Sequence, residues 1–137
     1  MKTKNFFIVL MLAIASVSFA QEAKYQLSSH ILDITKGEPA PNVKISLSKQ
    51  DLKGKWTLID EKITDANGRI PDFLKETKEG NNNGIYKLTY FTEPYFTKLN
   101  QTSFYPFIEV VFEIKDGKHY HVPITLSAFG YATYRGN

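Results

Sequence analysis

Alternation of apolar and polar residues, repeated in run after run, is what most limits the folds open to this chain. In VKISLSK (43–49), Val43, Ile45 and Leu47 fall on one side and Lys44, Ser46 and Ser48 on the other. EVVFEIK (109–115) sends Val110, Phe112 and Ile114 one way and Glu109, Val111 and Glu113 the other. IYKLTYF (85–91) opposes Tyr86, Leu88 and Tyr90 to Lys87 and Thr89. Successive side chains of a strand leave opposite faces, so a period of two is what a half-buried strand requires.

Turn chemistry separates the runs. TKGEPAPN (35–42) carries two prolines and a glycine, and DANG (65–68) and KDGK (115–118) hold Asn-Gly and Asp-Gly pairs that tolerate positive φ. KDGK lies between two alternating runs and predicts a hairpin. Only PDFLKETKE (71–79) reads as helix, with Pro71 near its start and Gly80 to stop it. Six to eight short strands with one short helix predict an all-β sandwich. No internal repeat or low-complexity linker divides it.

The first twenty residues, MKTKNFFIVLMLAIASVSFA, stand apart from this pattern. Two lysines, an apolar run from Phe6 to about Ala15 and a small-residue end at Ala20 have the order of a secretory signal peptide. The apolar run is short of the ~20 residues that a spanning helix needs. Cleavage after Ala20 is expected, leaving Gln21 first in an exported protein, periplasmic or secreted, with no membrane attachment.

Cleavage changes the charge. The whole chain has 17 Lys and Arg against 14 Asp and Glu, but Lys2 and Lys4 leave with the signal, so the mature chain is at +1. With no basic stretch interleaved with aromatics, a nucleic-acid partner is not expected. The remaining 117 residues make one domain, large enough for a core. The sequence has no cysteine, so neither disulfides nor thiolate chemistry is open to it, and packing, with association between copies, must stabilise it.

Three histidines and one arginine are the candidates for chemistry. His119 and His121, in KHYHVPITL (118–126), are two apart and project from one face, with Tyr120 and Val122 on the other. Such a pair can bind a metal if a third ligand joins it, and His30 could supply one. No HExxH motif and no adjacent acid accompanies the pair, however, and surface histidines on an exposed sheet face are the plainer reading. Neither metal nor cofactor is expected. His30 lies in YQLSSHILDI (25–34), sharing a face with Ser28 and Leu32, and Arg69 ends TDANGR. An ordinary solvated turn arginine is the plainer reading of Arg69.

Taken together, SSHILDITKGEPAPNVKISL, TDANGR, YKLTYFTEPYF and HYHVPITLSAFGYATYRGN resemble the 5-hydroxyisourate hydrolases, the transthyretin-related enzymes of urate breakdown. The resemblance covers almost the whole chain after the signal, in order. SSHILD is similar to the family's S-x-H-V-L-D, with Ile31 for valine, and TDANGR to T-x-x-D-G-R, with Asn67 for aspartate. HYHVP and the closing YRGN are similar to H-Y-H-V-P and Y-R-G-S, both of which transthyretin itself lacks.

That resemblance implies a transthyretin-like, prealbumin-like, eight-stranded β-sandwich with one short helix. It also implies a homotetramer, a dimer of dimers, with substrate sites at subunit interfaces. The implied reaction opens the lactam ring of 5-hydroxyisourate to 2-oxo-4-hydroxy-4-carboxy-5-ureidoimidazoline. Catalytic groups carry over to His30, Arg69 and His121, and substrate contacts to Tyr134 and Asn137. A histidine can accept a proton from water near neutral pH, and His121 or His30 takes that role. Arg69 offers a fixed cationic fork to the oxyanion. His119 is a supporting residue. Asn137 stands where the family ends in serine, and an amide relays protons poorly compared with a hydroxyl, so altered or lower turnover is expected.

Two rivals share the fold. One is a transthyretin-like small-molecule binding protein without catalysis, and the other is a structural sandwich module. The polar set of His30, Arg69, His121 and Tyr134 is what a carrier for an apolar ligand would not need.

Overall fold

A computed structural model describes residues 24–77 and 81–137. The expected signal segment, 1–20, lies outside the described residues. Nine strands and one helix follow in chain order: β1 (Tyr25–Asp33), β2 (Glu38–Pro39), β3 (Lys44–Gln50), β4 (Trp56–Ile63), β5 (Arg69–Lys75), β6 (Gly84–Tyr90), α1 (Glu93–Lys98), β7 (Ile108–Ile114), β8 (Tyr120–Ser127) and β9 (Gly130–Thr133). Discounting the two-residue β2, eight strands remain, as the resemblance implies.

The strands form two sheets. One runs β2-β1-β8-β9, with β5 also paired to β1, and the other runs β4-β3-β6-β7. All pairings are antiparallel except β1 with β8, which lie parallel. The sequence pattern sets the inner faces. Leu27 and Ile31 of β1 and Tyr120, Val122, Ile124 and Leu126 of β8 are buried, together with Ile45, Leu47, Tyr86, Leu88, Tyr90, Val110 and Ile114 of the other sheet. The alternate residues of β1 and β8, including Ser28, His30 and His121, are therefore on the outer face of the first sheet.

Two local expectations fail. Residues 71–75 of the expected helix are strand, part of β5; residues 78–79 lie outside the described residues. Pairing with β1 is irregular between Leu27 and Ser29, where two steps of β1 face three steps of β5, from Phe73 to Ile70. That bulge, with Leu74 at φ 55°, buries both Ile70 and Phe73 at a spacing of three, which imitates a helix in the sequence. The helix is instead α1, whose first turn holds Glu93 and a proline and whose last turn holds Lys98, while Tyr95 and Phe96 fill the core side.

KDGK is also no hairpin. It joins β7 to β8, which belong to different sheets. The turn chemistry was legible, but the partner of each strand was not, because a tight turn can cross between layers as well as close a ladder.

Candidate active site

The register of β1 builds the site. His30 is paired with Arg69 of β5, and Ser28 is paired with His121 of β8, so β1 lies between a cationic strand end and a histidine strand. Residues paired across neighbouring strands share a face. Ser28, His30, Arg69, His119 and His121 therefore gather on the outer face of the first sheet.

The DANGR turn delivers Arg69. Asp65 Oδ1 accepts the amides of Asn67 at 2.8 Å and Arg69 at 3.0 Å, closing an Asx-type loop. Gly68, at φ 68°, presses its backbone on β1 and accepts the Ile31 amide at 2.9 Å. A Cβ there would meet the Ile31 carbonyl at 2.6 Å and the Ala40 amide nitrogen at 3.0 Å. Only glycine fits, and the chain leaves this corner with Arg69 facing His30.

Electrostatics follow from the crowding of cations. Partial burial, then the Arg69 guanidinium, lower the His30 pKa from 6.5, while the Asn67 carbonyl bonded to its ring and the Asp65 carboxylate push it back up. Burial lowers His121 as well, followed by Arg69, His30 and His119. Both imidazoles are therefore neutral at neutral pH, the form that accepts a proton. Among the described residues no group of three or more His, Cys, Asp or Glu side chains is arranged to hold a metal ion.

The second histidine of the pair joins this network. Ser28 Oγ lies 2.8 Å from His121 Nδ1 and 2.8 Å from His119 Nε2, and His119 Nδ1 lies 3.0 Å from the Tyr25 carbonyl. The strand alternation had put both histidines on one face. The participation of Ser28 was missed, since only the parallel β1–β8 register brings residues 93 apart in sequence together.

The C-terminus is fastened to the same strand. Thr133 Oγ1 donates to the Pro123 carbonyl at 2.9 Å, and the Gly136 amide donates to the His121 carbonyl at 2.9 Å in an isolated antiparallel bridge. Arg135 stacks over the Tyr120 ring, 4.6 Å from its centroid. Tyr134 is exposed and lines, with Val110, Val111, Tyr120 and Arg135, a cavity of about 250 Å³. Asn137 is also exposed, directly after the residue that abuts His121. A single chain thus gathers His30, Arg69 and His121 side by side, whereas Tyr134 borders a separate groove and Asn137 approaches only through the backbone of Gly136.

Comparison with known proteins now decides the family. The family model described as HIUase/Transthyretin matches residues 27–136. This chain belongs to the HIUase/Transthyretin family. A Caenorhabditis elegans relative described as a "Probable 5-hydroxyisourate hydrolase" is 43% identical over 139 residues, spanning 94% of this chain and 97% of the relative. Two solved structures of family members show both functional branches of the fold. Sea bream transthyretin in complex with thyroxine superposes with a TM-score of 0.74 at 34% identity, covering 81% of this chain and 94% of that one. The Klebsiella pneumoniae 5-hydroxyisourate hydrolase superposes with a TM-score of 0.67 at 33% identity, covering 81% and 98%. Overall shape therefore does not separate carrier from enzyme within the HIUase/Transthyretin family, and the outer-face cluster has to.

Proposed function

We propose that this protein is a 5-hydroxyisourate hydrolase. The observation that carries the proposal is the register of His30 against Arg69 beside His121, which sets two neutral imidazoles next to a permanent cation on one sheet face. An apolar ligand has no use for such a face. Hydrolysis of a lactam needs both kinds of group.

In the reaction, one imidazole takes a proton from water as the oxygen attacks the lactam carbonyl. The Arg69 guanidinium stands ready for the negative charge that develops on the carbonyl oxygen. When the tetrahedral adduct collapses, the carbon–nitrogen bond breaks, and the imidazolium returns its proton to the leaving ring nitrogen. The products are a carboxylic acid, which ionises by releasing the second water proton to solvent, and a free N–H, with no net change at the protein.

The cluster lies on an outer sheet face with Arg69 exposed, and Phe104, Phe107, Phe129, Tyr131 and Tyr134 are exposed as well. A second layer of protein over the outer face would exclude water from the site, and the exposed aromatics elsewhere on the chain offer apolar area for further contacts, which supports assembly as a tetramer, a dimer of dimers. Tyr134 and Asn137 would then act as substrate contacts in the assembled site. The signal-like N-terminus supports export, to the periplasm or the medium.

The test is kinetic. Freshly generated 5-hydroxyisourate is followed by its ultraviolet absorbance with and without protein, against its spontaneous decay. The protein is expected to accelerate the decay, and His121→Asn to lose most of that acceleration. No acceleration by the unaltered protein would refute the enzyme and favour a binding protein. Light scattering decides the tetramer, and the N-terminal sequence of exported protein decides cleavage after Ala20.

A further inference from the structure

Three ring nitrogens and one hydroxyl form an unbroken chain along the outer sheet face: Tyr25 carbonyl, His119, Ser28, His121. Its polarity can be worked out from one end. A carbonyl oxygen only accepts, so His119 Nδ1, 3.0 Å from the Tyr25 oxygen, must carry a hydrogen. In neutral His119 the Nε2 is then a lone-pair acceptor. Ser28 has a single hydroxyl hydrogen and two nitrogens at 2.8 Å, and it donates to the one that can only accept, His119 Nε2. Its oxygen is left to accept from His121, so His121 Nδ1 bears the hydrogen and His121 Nε2 the lone pair.

We propose that Ser28 and His119 are positioning residues that lock His121 in its Nδ1–H tautomer and so make its Nε2 the base of the site. The lock has a geometric counterpart on the other edge of the ring. Gly136 abuts the imidazole there, since a Cβ at that position would lie 2.5 Å from His121 Cδ2. The ring is held between the Ser28 hydroxyl and the Gly136 backbone, and Nε2, the nitrogen farther from the backbone, projects from the sheet. Nδ1–H is the minority tautomer of free histidine, so a device is needed to impose it. His30 lies outside this chain of hydrogen bonds.

The inference deepens the proposed hydrolase and rests on it for its catalytic meaning, but the tautomer is measurable in the resting protein. Long-range nitrogen–proton NMR correlations of the 15N-labelled full chain at mildly alkaline pH are expected to show His121 protonated on Nδ1 and bare on Nε2. In Ser28→Ala the pattern is expected to move to Nε2–H, with kcat falling roughly 10–100-fold and KM changing less, the range typical of groups that orient a functional histidine. Ser28→Thr keeps a hydroxyl and should restore both. His119→Ala frees the Ser28 hydrogen to point at His121 Nδ1 and should give a mixture of tautomers.

An Nε2–H tautomer in the unaltered protein would overturn the proposal, as would an Nδ1–H tautomer that persists in a folded Ser28→Ala. Unchanged kcat in that variant would overturn the catalytic role of the lock while leaving the hydrolase standing. Failure of the unaltered protein to hydrolyse 5-hydroxyisourate, with the tautomer switching as expected, would overturn the function and leave the lock.

Discussion

Gly136 donates its amide to the carbonyl of His121 at 2.9 Å and lies so near that a methyl group in place of its hydrogen would sit 2.5 Å from His121 Cδ2. The penultimate residue of the chain is therefore a wall of the candidate active site. Gly136→Ala must either displace the imidazole or detach the tail. Because a misplacement of about 1 Å can cost 100-fold in rate, kcat/KM for 5-hydroxyisourate is expected to fall by about that factor. The thermal midpoint should move little, since Gly136 is outside the sandwich core. A fully active Gly136→Ala would show that the tail has no part in positioning His121.

The titration of the two site histidines ties function to stability. Both have folded-state pKa values below 6.5, with Arg69, His30 and His119 facing His121, and Arg69 and Asp65 facing His30. As the pH falls through 6.5, the unfolded chain binds protons before the folded one, so stability present above 6.5 is lost on acidification. Thermal midpoints should decline over that window. Arg69→Gln removes the cation and should raise both histidine pKa values, read by NMR titration of the ring protons. If both stay where they were, burial alone sets them.

Gly68→Ala tests the corner that delivers Arg69. The positive φ and a Cβ only 2.6 Å from the Ile31 carbonyl leave no room for a side chain. A strained residue of this kind costs about 1–3 kcal/mol, which should show as a lower denaturation midpoint. Activity should fall further than that loss explains, because relaxing the corner moves Arg69 away from His30.

Asp33 joins β1 to α1. Its carboxylate is buried, with Oδ2 accepting the Tyr95 hydroxyl at 2.8 Å and Oδ1 accepting the amides of Thr35 at 3.0 Å and Lys36 at 3.2 Å. Tyr95→Phe withdraws the donor from a buried anion and should destabilise the fold by about 1–3 kcal/mol in chemical denaturation. Turnover in the folded fraction should be retained, since Tyr95 lies on the core side.

Asn137→Ser places a hydroxyl where the resemblance to the hydrolases implies a serine. An O–H can donate and accept at one atom, which an amide cannot, so the serine variant is expected to turn over faster with a similar KM. A slower serine variant would mean that asparagine is the better residue in this site.

Much of the molecule was legible along the chain because it depends on local rules. Alternation placed Val43, Ile45 and Leu47 in the core and set His119 and His121 together on the opposite side of β8 from Tyr120 and Val122. The Asp65-to-Gly68 turn was equally plain, since only certain residues tolerate its backbone. Two local signals misled for a physical reason. The bulge in β5 buries Ile70 and Phe73 with the spacing of a helix, and KDGK turns the chain from one sheet to the other instead of closing a hairpin.

By itself, then, the sequence determined which side chains share a face and where the chain must turn, because pleat and φ preferences act over a few residues. Only the tertiary structure decided which strands meet and in what register. The parallel pairing of β1 with β8 puts Ser28 beside His121, and the β1–β5 pairing sets Arg69 against His30. Those partners are fixed by how the two buried faces pack together across long stretches of chain, and no local pattern carries that information.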